Sequence, residues 1–448
     1  MTLVQALPRG VPTGKIATTW WPLAASWLLM SAELPAFIAV VSRLPDAQIN
    51  LAAYGGIVFP LALIVESGII MLLAASTALS KDWESYRKIY RWMMTAGALL
   101  TAVHLLVAFT PLYYVIARQV IGAPEAILEA GRTGLMIMTP WTWSIAYRRF
   151  NQGVMIRAGK SQAVGIGTIV RLASNALVLL GGFWIGTLPG IVVGASATAT
   201  GVVMEAIYSG IAVQPALRDV VKPAPAVDPP LTFGVFLAFY LPLALTSFIV
   251  LLGQPIGSAA LSRMPMPIIS LAVWPAITSL SFIMRSPGIA YNEVVVALIE
   301  KPGAWHNLRR FAMIMIAATT GLIALVTFTP LAWIWFRQIS GLSEEMASLA
   351  ANNMWLAVPI PAMAILQSWY QGAIVYSKKT RGITESVVLF LITAIVVYVL
   401  GVWWGKATGV YVGMLAFLLS NLAQTVWLWF RSRPIMATLS GRLSPQDR

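Results

Sequence analysis

Residues 107–122 read VAFTPLYYVIARQVIG, and residues 326–341 read VTFTPLAWIWFRQISG. The shared Phe-Thr-Pro-Leu, the Arg-Gln and the closing Gly stand at a shift of 219, and the correspondence runs through most of the chain. WPLA at 21–24 returns as LPLA at 241–244, and Pro35, Ser42, Arg43 and Pro45 return as Pro255, Ser262, Arg263 and Pro265, here at a shift of 220. Further on, Pro140 matches Pro359, Gln152-Gly153 with Lys160 matches Gln371-Gly372 with Lys379, and Gly186, Gly190 and Gly194 match Gly405, Gly409 and Gly413. Shared hydrophobicity does not keep so many landmarks in one order. The chain therefore reads as two copies of one unit, 1–212 and 232–431, joined by the Pro-rich linker 213–231 and followed by a tail, 432–448.

What each unit is made of follows from its solvent. Charged residues make up only 10% of the chain, against roughly 25% in soluble domains, so lipid rather than water must cover it. Twelve apolar stretches follow one another from residue 18 to 430, each long enough to cross a hydrocarbon core of roughly 30 Å as a helix. The fourth is read near 128–147 and the tenth near 346–376. The expected fold is an all-α polytopic membrane protein of twelve transmembrane helices in two parallel six-helix repeats, related by an axis along the membrane normal because six crossings return the chain to the starting face.

The net charge of +14 is an orientation signal rather than a nucleic-acid footprint. Of thirty Lys and Arg residues, twenty-two fall in the even-to-odd loops and the two tails, Arg148 and Arg149 among them, and only six on the other side. That asymmetry is the positive-inside rule and puts both termini in the cytoplasm. The absence of cysteine excludes disulfides and thiol chemistry.

Ionisable residues within spans are costly and mark candidate sites. Glu33 precedes Pro35, which opens the helix by lacking an N–H, and Glu66 lies in the second span; each reads either as an ion-coupling site or as a neutral, hydrogen-bonded carboxyl. Arg171, with Asn175 one turn later, and Arg285, before Ser286-Pro287-Gly288, read either as an anion site or as partners of Glu66 or Glu205 in internal salt bridges. Trp141 and Trp143 beside Pro140 are candidate cavity residues. Pro35, Pro140, Pro255 and Pro359, with Pro287 and Pro361, are expected to interrupt their spans. His104 has no second ligand near it and reads as a hydrogen-bonded histidine, so no metal site is expected. The doubled Arg-Gln reads as a snorkelling pair at the outer interface.

PLAL at 242–245, PIGSAALSR at 255–263, HLLVAFTPLYYVI at 104–116 and GAIVYSKKT at 372–380 resemble the progressive ankylosis protein family. The wider pattern, a parallel six-plus-six duplication with Gln-Gly-x6-Lys after the fourth helix of each half, is similar to the multidrug and toxin extrusion transporters and the polysaccharide flippases. The resemblance implies export by alternating access, and in the ankylosis family of organic or phosphorylated anions such as citrate or pyrophosphate; that family's pattern includes an arginine at the place of Arg285. The chain does not carry the multidrug family's full set of ion-binding acids, which leaves ion coupling open. No enzymatic constellation is visible, no cofactor is called for, and the expected partners are the bilayer and a small anionic substrate, the protein acting as a monomer. A cation-coupled multidrug antiporter and a lipid-linked oligosaccharide flippase are the alternatives.

Overall fold

The computed structural model describes residues 11–301, 304–377 and 381–441. Among these residues every regular element is helical and no strand occurs, as a lipid-exposed backbone that must satisfy its own hydrogen bonds requires. The first half runs α1 (Thr13–Val41), α2 (Ala47–Leu79), α3 (Trp83–Phe109), α4 (Leu128–Ile137 continued as Thr139–Arg157), α5 (Ser161–Ile185) and α6 (Gly190–Val221). The second runs α7 (Phe233–Ser262), α8 (Pro267–Leu298), α9 (Ala304–Phe328), α10 (Glu344–Ala357 continued as Ile360–Tyr376), α11 (Arg381–Trp404) and α12 (Gly409–Thr438). Lys379, the expected echo of Lys160, lies outside the described residues, as do Arg9 and the last part of the tail, 442–448.

Ten of these helices are long and apolar enough to span a membrane, and α10, bent by 41° at its break, makes an eleventh. The twelfth expected span, α4, is helical but polar: it carries Glu129, Arg132, Arg148, Arg149 and Arg157. Its helix also runs well past the expected end at 147, to Arg157, so Arg148 and Arg149 are not loop residues.

The two halves pack alike. In each, the second, third and sixth helices pack on the fourth, and the fifth packs on the sixth. Gly190 and Gly194 let α6 close on Val41 and Phe37 of α1, and Gly409 and Gly413 let α12 close on Leu261 of α7. Both first helices break at matched places, α1 at Ala32 and α7 at Leu252, three residues ahead of Pro35 and Pro255. Each proline leaves the carbonyl four residues earlier without its helical donor. Pro140 and Pro359 stand at the matching breaks of α4 and α10, and Pro361 falls in the first turn after the α10 break. Pro287 departs from expectation: α8 is continuous through Pro275 and Pro287.

The first helices also tie the halves together. The early turns of α1 lie on α8 and α9 of the other half, and those of α7 lie on α2. Trp20 donates its indole N–H to the Pro287 carbonyl at 2.9 Å, and Tyr240, its counterpart at a shift of 220, donates its hydroxyl to the Gly68 carbonyl at 2.7 Å.

Candidate functional site

A cavity of about 590 Å3 lies between the two halves, walled by α1, α2, α4, α5 and α6 on one side and by α7, α8, α11 and α12 on the other. The helix breaks position it: Ser31, Glu33 and Leu34 reach it from the α1 break, and Gly253, Gln254 and Gly257 from the α7 break. Its walls are rich in aromatic rings, including Phe37, Tyr54, Trp141, Trp274, Tyr398 and Phe417.

Glu33, Glu66, Arg171, Asn175, Arg285 and Trp141 all line this one cavity. Trp143 does not. It faces outward from the cavity, stacked on Tyr147 at 5.1 Å beside a shallow groove against α6, with Gly97 of α3 close by. Half a helical turn decides this, because residues two positions apart on an α-helix lie about 200° apart around the axis.

The charged residues form a graded set. Arg171 Nη1 is 3.0 Å from Glu33 Oε2, and Asn175 donates to Glu33 Oε1 at 2.9 Å. Glu205, buried against α4 and α5, lies 3.4 Å from Arg171 Nε and 3.1 Å from Arg148 Nη1, and Gln152 donates to its other oxygen at 2.9 Å. The Gln of the repeated Gln-Gly therefore holds this acid in place. Glu205 and Glu33, not Glu66, are the carboxylates that pair with Arg171.

Arg148 and Arg149 are the residues that the charge count misplaced. Both line the cavity rather than a cytoplasmic loop. Arg148 is only 7% exposed, a burial that a surface arginine does not have and that Glu205 compensates. The signal for them lay in the repeat: their counterparts at a shift of 219 are Gln367 and Ser368, in the middle of the tenth span.

Arg285 stands apart from these pairs. Among the described residues no carboxylate lies within ion-pair distance of it; its guanidinium sits 5.2 Å from the Phe417 ring centroid, a cation–π contact. The Nε–H groups of Arg148, Arg149 and Arg285 are buried without a hydrogen-bond acceptor. Four arginines thus line a cavity that two glutamates, Glu33 and Glu66, also line, with Glu205 behind them bonded to Arg148 and Arg171; among the described residues the second half adds a cation and no acid to the lining.

His104 is fully engaged, Nδ1 with the Thr142 hydroxyl at 2.8 Å and Nε2 with the Leu135 carbonyl at 2.9 Å. Among the described residues no cluster of His, Asp and Glu has metal-site geometry.

No protein-family model matches the chain, and no curated protein matches it by sequence. Solved structures do match over nearly its whole length. An inward-facing multidrug resistance MATE family transporter of the MOP superfamily shares 14% identity and a TM-score of 0.65, covering 96% of this chain and all of that one. The lipid II flippase MurJ, in an inward closed conformation, shares 13% identity and a TM-score of 0.73 over 94% of this chain and 90% of that one. A MOP superfamily transporter from Pyrococcus furiosus, described as having a binding pocket of reversed polarity, shares 14% identity and a TM-score of 0.60 over 97% of this chain. At these identities the likeness is one of fold: a multi-pass helical membrane protein built like the MATE transporters and the MurJ flippase.

Proposed function

We propose that the protein is a membrane transporter that carries a small organic or phosphorylated anion, of the citrate or pyrophosphate kind, by alternating access between two six-helix bundles. The bundles are 1–212 and 232–431, the linker 213–231 and both termini are cytoplasmic, and the direction is export. The observation that carries this reading is Arg285: a permanent cation held in a cavity between the halves, with an unpaired N–H and, among the described residues, no carboxylate within ion-pair distance. A guanidinium cannot discharge itself by losing its proton, and the low dielectric of the cavity strengthens its attraction for an anion.

The pairs in the first half refine the roles. Arg171 and Asn175 are engaged with Glu33, so their part in binding is to be released to the solute or to hold the wall in shape. Glu66 is only 4% exposed and, unlike Glu33, which is held by Arg171 and Asn175, has no ion-pair partner among the described residues, so it is the better placed of the two acids to take up a coupling ion. These first-half acids are also what favours the alternative, a cation-coupled multidrug antiporter.

Counterflow in proteoliposomes tests the proposal. Purified protein preloaded with citrate, pyrophosphate or a nucleotide is expected to accumulate the same labelled anion, and to leave a cationic dye untouched. Accumulation of the dye with none of the anions would overturn the anion reading in favour of the antiporter.

A further inference from the structure

Arg43 and Arg263 are counterparts in the two repeats, and each reaches across to the other half. Arg43 donates to the carbonyls of Gln338 and Ile339, at 2.5 and 3.2 Å. Arg263 donates to the carbonyls of Gln119, Val120 and Ile121, at 3.2, 2.9 and 2.6 Å. Each also donates to the carbonyl four residues back in its own helix, Ala39 or Ala259.

The acceptors are the repeated Phe-Thr-Pro-Leu…Arg-Gln…Gly segments. In each, a short helix widens into a turn of π-helix, Ile116–Ile121 or Ile334–Ile339, and stops. The last carbonyls of a helix have no partner within it and carry its partial negative charge, so they suit a guanidinium. Gly122 and Gly341 end the two turns at φ +72°, and a Cβ on either would meet the incoming guanidinium. The arginines within the motif brace it locally: Arg118 pairs with Glu125 at 2.8 Å, and Arg337 donates to the Leu342 carbonyl at 2.7 Å.

Both clamps lie on one face, because each segment follows an odd-numbered span. On the same side of the cavity α2 meets α8, where a Cβ on Gly55 would strike Pro275, its own counterpart at a shift of 220, and one on Gly56 would strike Leu271. A residue meeting its own counterpart marks the pseudo-twofold axis. The opposite face is latched across the halves by neutral donors, Trp20, Tyr240 and Asn307, with Lys88 bonding the Leu231 carbonyl where the linker enters the second half. Charge-assisted hydrogen bonds are roughly twice as strong as neutral ones, and the clamp face gathers five of them between the halves against the single Lys88 bond opposite.

We infer that the duplicated motif builds a reciprocal arginine gate: Arg43 and Arg263 close the cavity on the face away from the linker, and must release the Gln119–Ile121 and Gln338–Ile339 carbonyls for the cavity to open there. The inference rests on the alternating-access reading, but its test needs no substrate.

Thr278 lines the cavity, and the chain has no cysteine, so Thr278→Cys is a single reporter for an impermeant thiol reagent. Glu125→Cys identifies the clamp face. In intact cells and in inverted vesicles, adding Arg43→Gln with Arg263→Gln is expected to raise Thr278→Cys labelling from the clamp face at least tenfold and to lower it from the other face. Either single variant, Arg263→Lys or Gly122→Ala should move both rates in the same directions by less, and these milder changes serve if the double variant does not fold. Unchanged labelling from the clamp face in a folded variant would overturn the gate. So would a rise from both faces together, which marks loosened packing. Neither result depends on which solute is carried.

Discussion

Arg171 Nη1 stands 3.0 Å from Glu33 Oε2 and binds the broken part of α1 to α5. The arginine and glutamate side chains are only 15% and 22% exposed, so removing Arg171 leaves Glu33 without an ion-pair partner among the described residues, and removing Glu33 leaves Arg171 only the longer contact with Glu205 at 3.4 Å. Breaking a buried pair from one side costs about 3–5 kcal/mol, far more than the pair contributes as a whole. Glu33→Gln and Arg171→Gln are each expected to lower the thermal midpoint of the purified protein substantially. The double variant should recover part of the loss, with a coupling of about 1–3 kcal/mol. Additive losses would show that the two do not act as a pair.

How much of this was legible beforehand differs between particular residues. The duplication was readable because prolines and glycines keep their places for backbone reasons: Pro35 and Pro255 sit at matched breaks of α1 and α7. The cavity acids and Arg171 were readable as charges stranded in apolar runs. Arg148 and Arg149 were not, because two arginines in sequence look like a loop when hydropathy alone marks the span. Only the length of their partner helix, α10, tells otherwise. Trp143 and Arg285 show a different limit: a span's sequence places a residue in depth, whereas the face it presents depends on how neighbouring helices rotate. Pro287 shows a third, since a proline within a long helix frees the carbonyl four residues earlier without fixing whether the helix ends there, and α8 stays helical through it.

The repeated Gln-Gly predicts unequal glycines. A Cβ on Gly153 would run into the Leu73 carbonyl and Ser76 of α2, where backbone meets backbone, whereas one on Gly372 would meet the Val295 side chain. Side chains shift more easily than backbone, and overpacking costs roughly 1–3 kcal/mol. Gly153→Ala is therefore expected to reduce the thermal midpoint by several degrees and Gly372→Ala by less, measured on purified protein. Equal effects would remove the distinction.

Asp82 makes a pH-dependent strap for the linker. Its carboxylate accepts from the Ser85 N–H at 2.7 Å, capping α3, and from the Val227 N–H at 2.6 Å, holding the linker. Burial by itself would raise this carboxyl, but the bonds from Ser85 and Val227, with Lys88 nearby, outweigh it and hold the group below the usual carboxylate range. A carboxyl depressed on folding stabilises above its unfolded value, about 3.9, and loses that contribution as pH falls through the folded one. Limited proteolysis should find the linker protected from pH 7 down to about 4 and released below it. Asp82→Ala should raise cleavage at pH 7 by about tenfold, the equivalent of one good capping bond. A linker equally resistant in the variant would mean that the strap is incidental.

Arg285 separates binding from stability. A buried guanidinium in a salt bridge leaves a stranded acid when replaced, and the protein weakens. Among the described residues Arg285 has no carboxylate within ion-pair distance and has the Phe417 ring at 5.2 Å, and a permanent charge at membrane depth is itself unfavourable. Arg285→Gln is therefore expected to keep or raise the thermal midpoint while reducing counterflow of citrate or pyrophosphate by at least tenfold, a loss of about 1.4 kcal/mol or more in transition-state or binding terms. Arg285→Lys keeps the charge but loses the planar fork that meets carboxylate and phosphate in two places, so it should retain an intermediate rate. Both quantities are measured on the same purified variants. A stable Arg285→Gln protein with undiminished anion counterflow would remove Arg285 from substrate binding and leave the surplus positive charge of the cavity to Arg148 and Arg149.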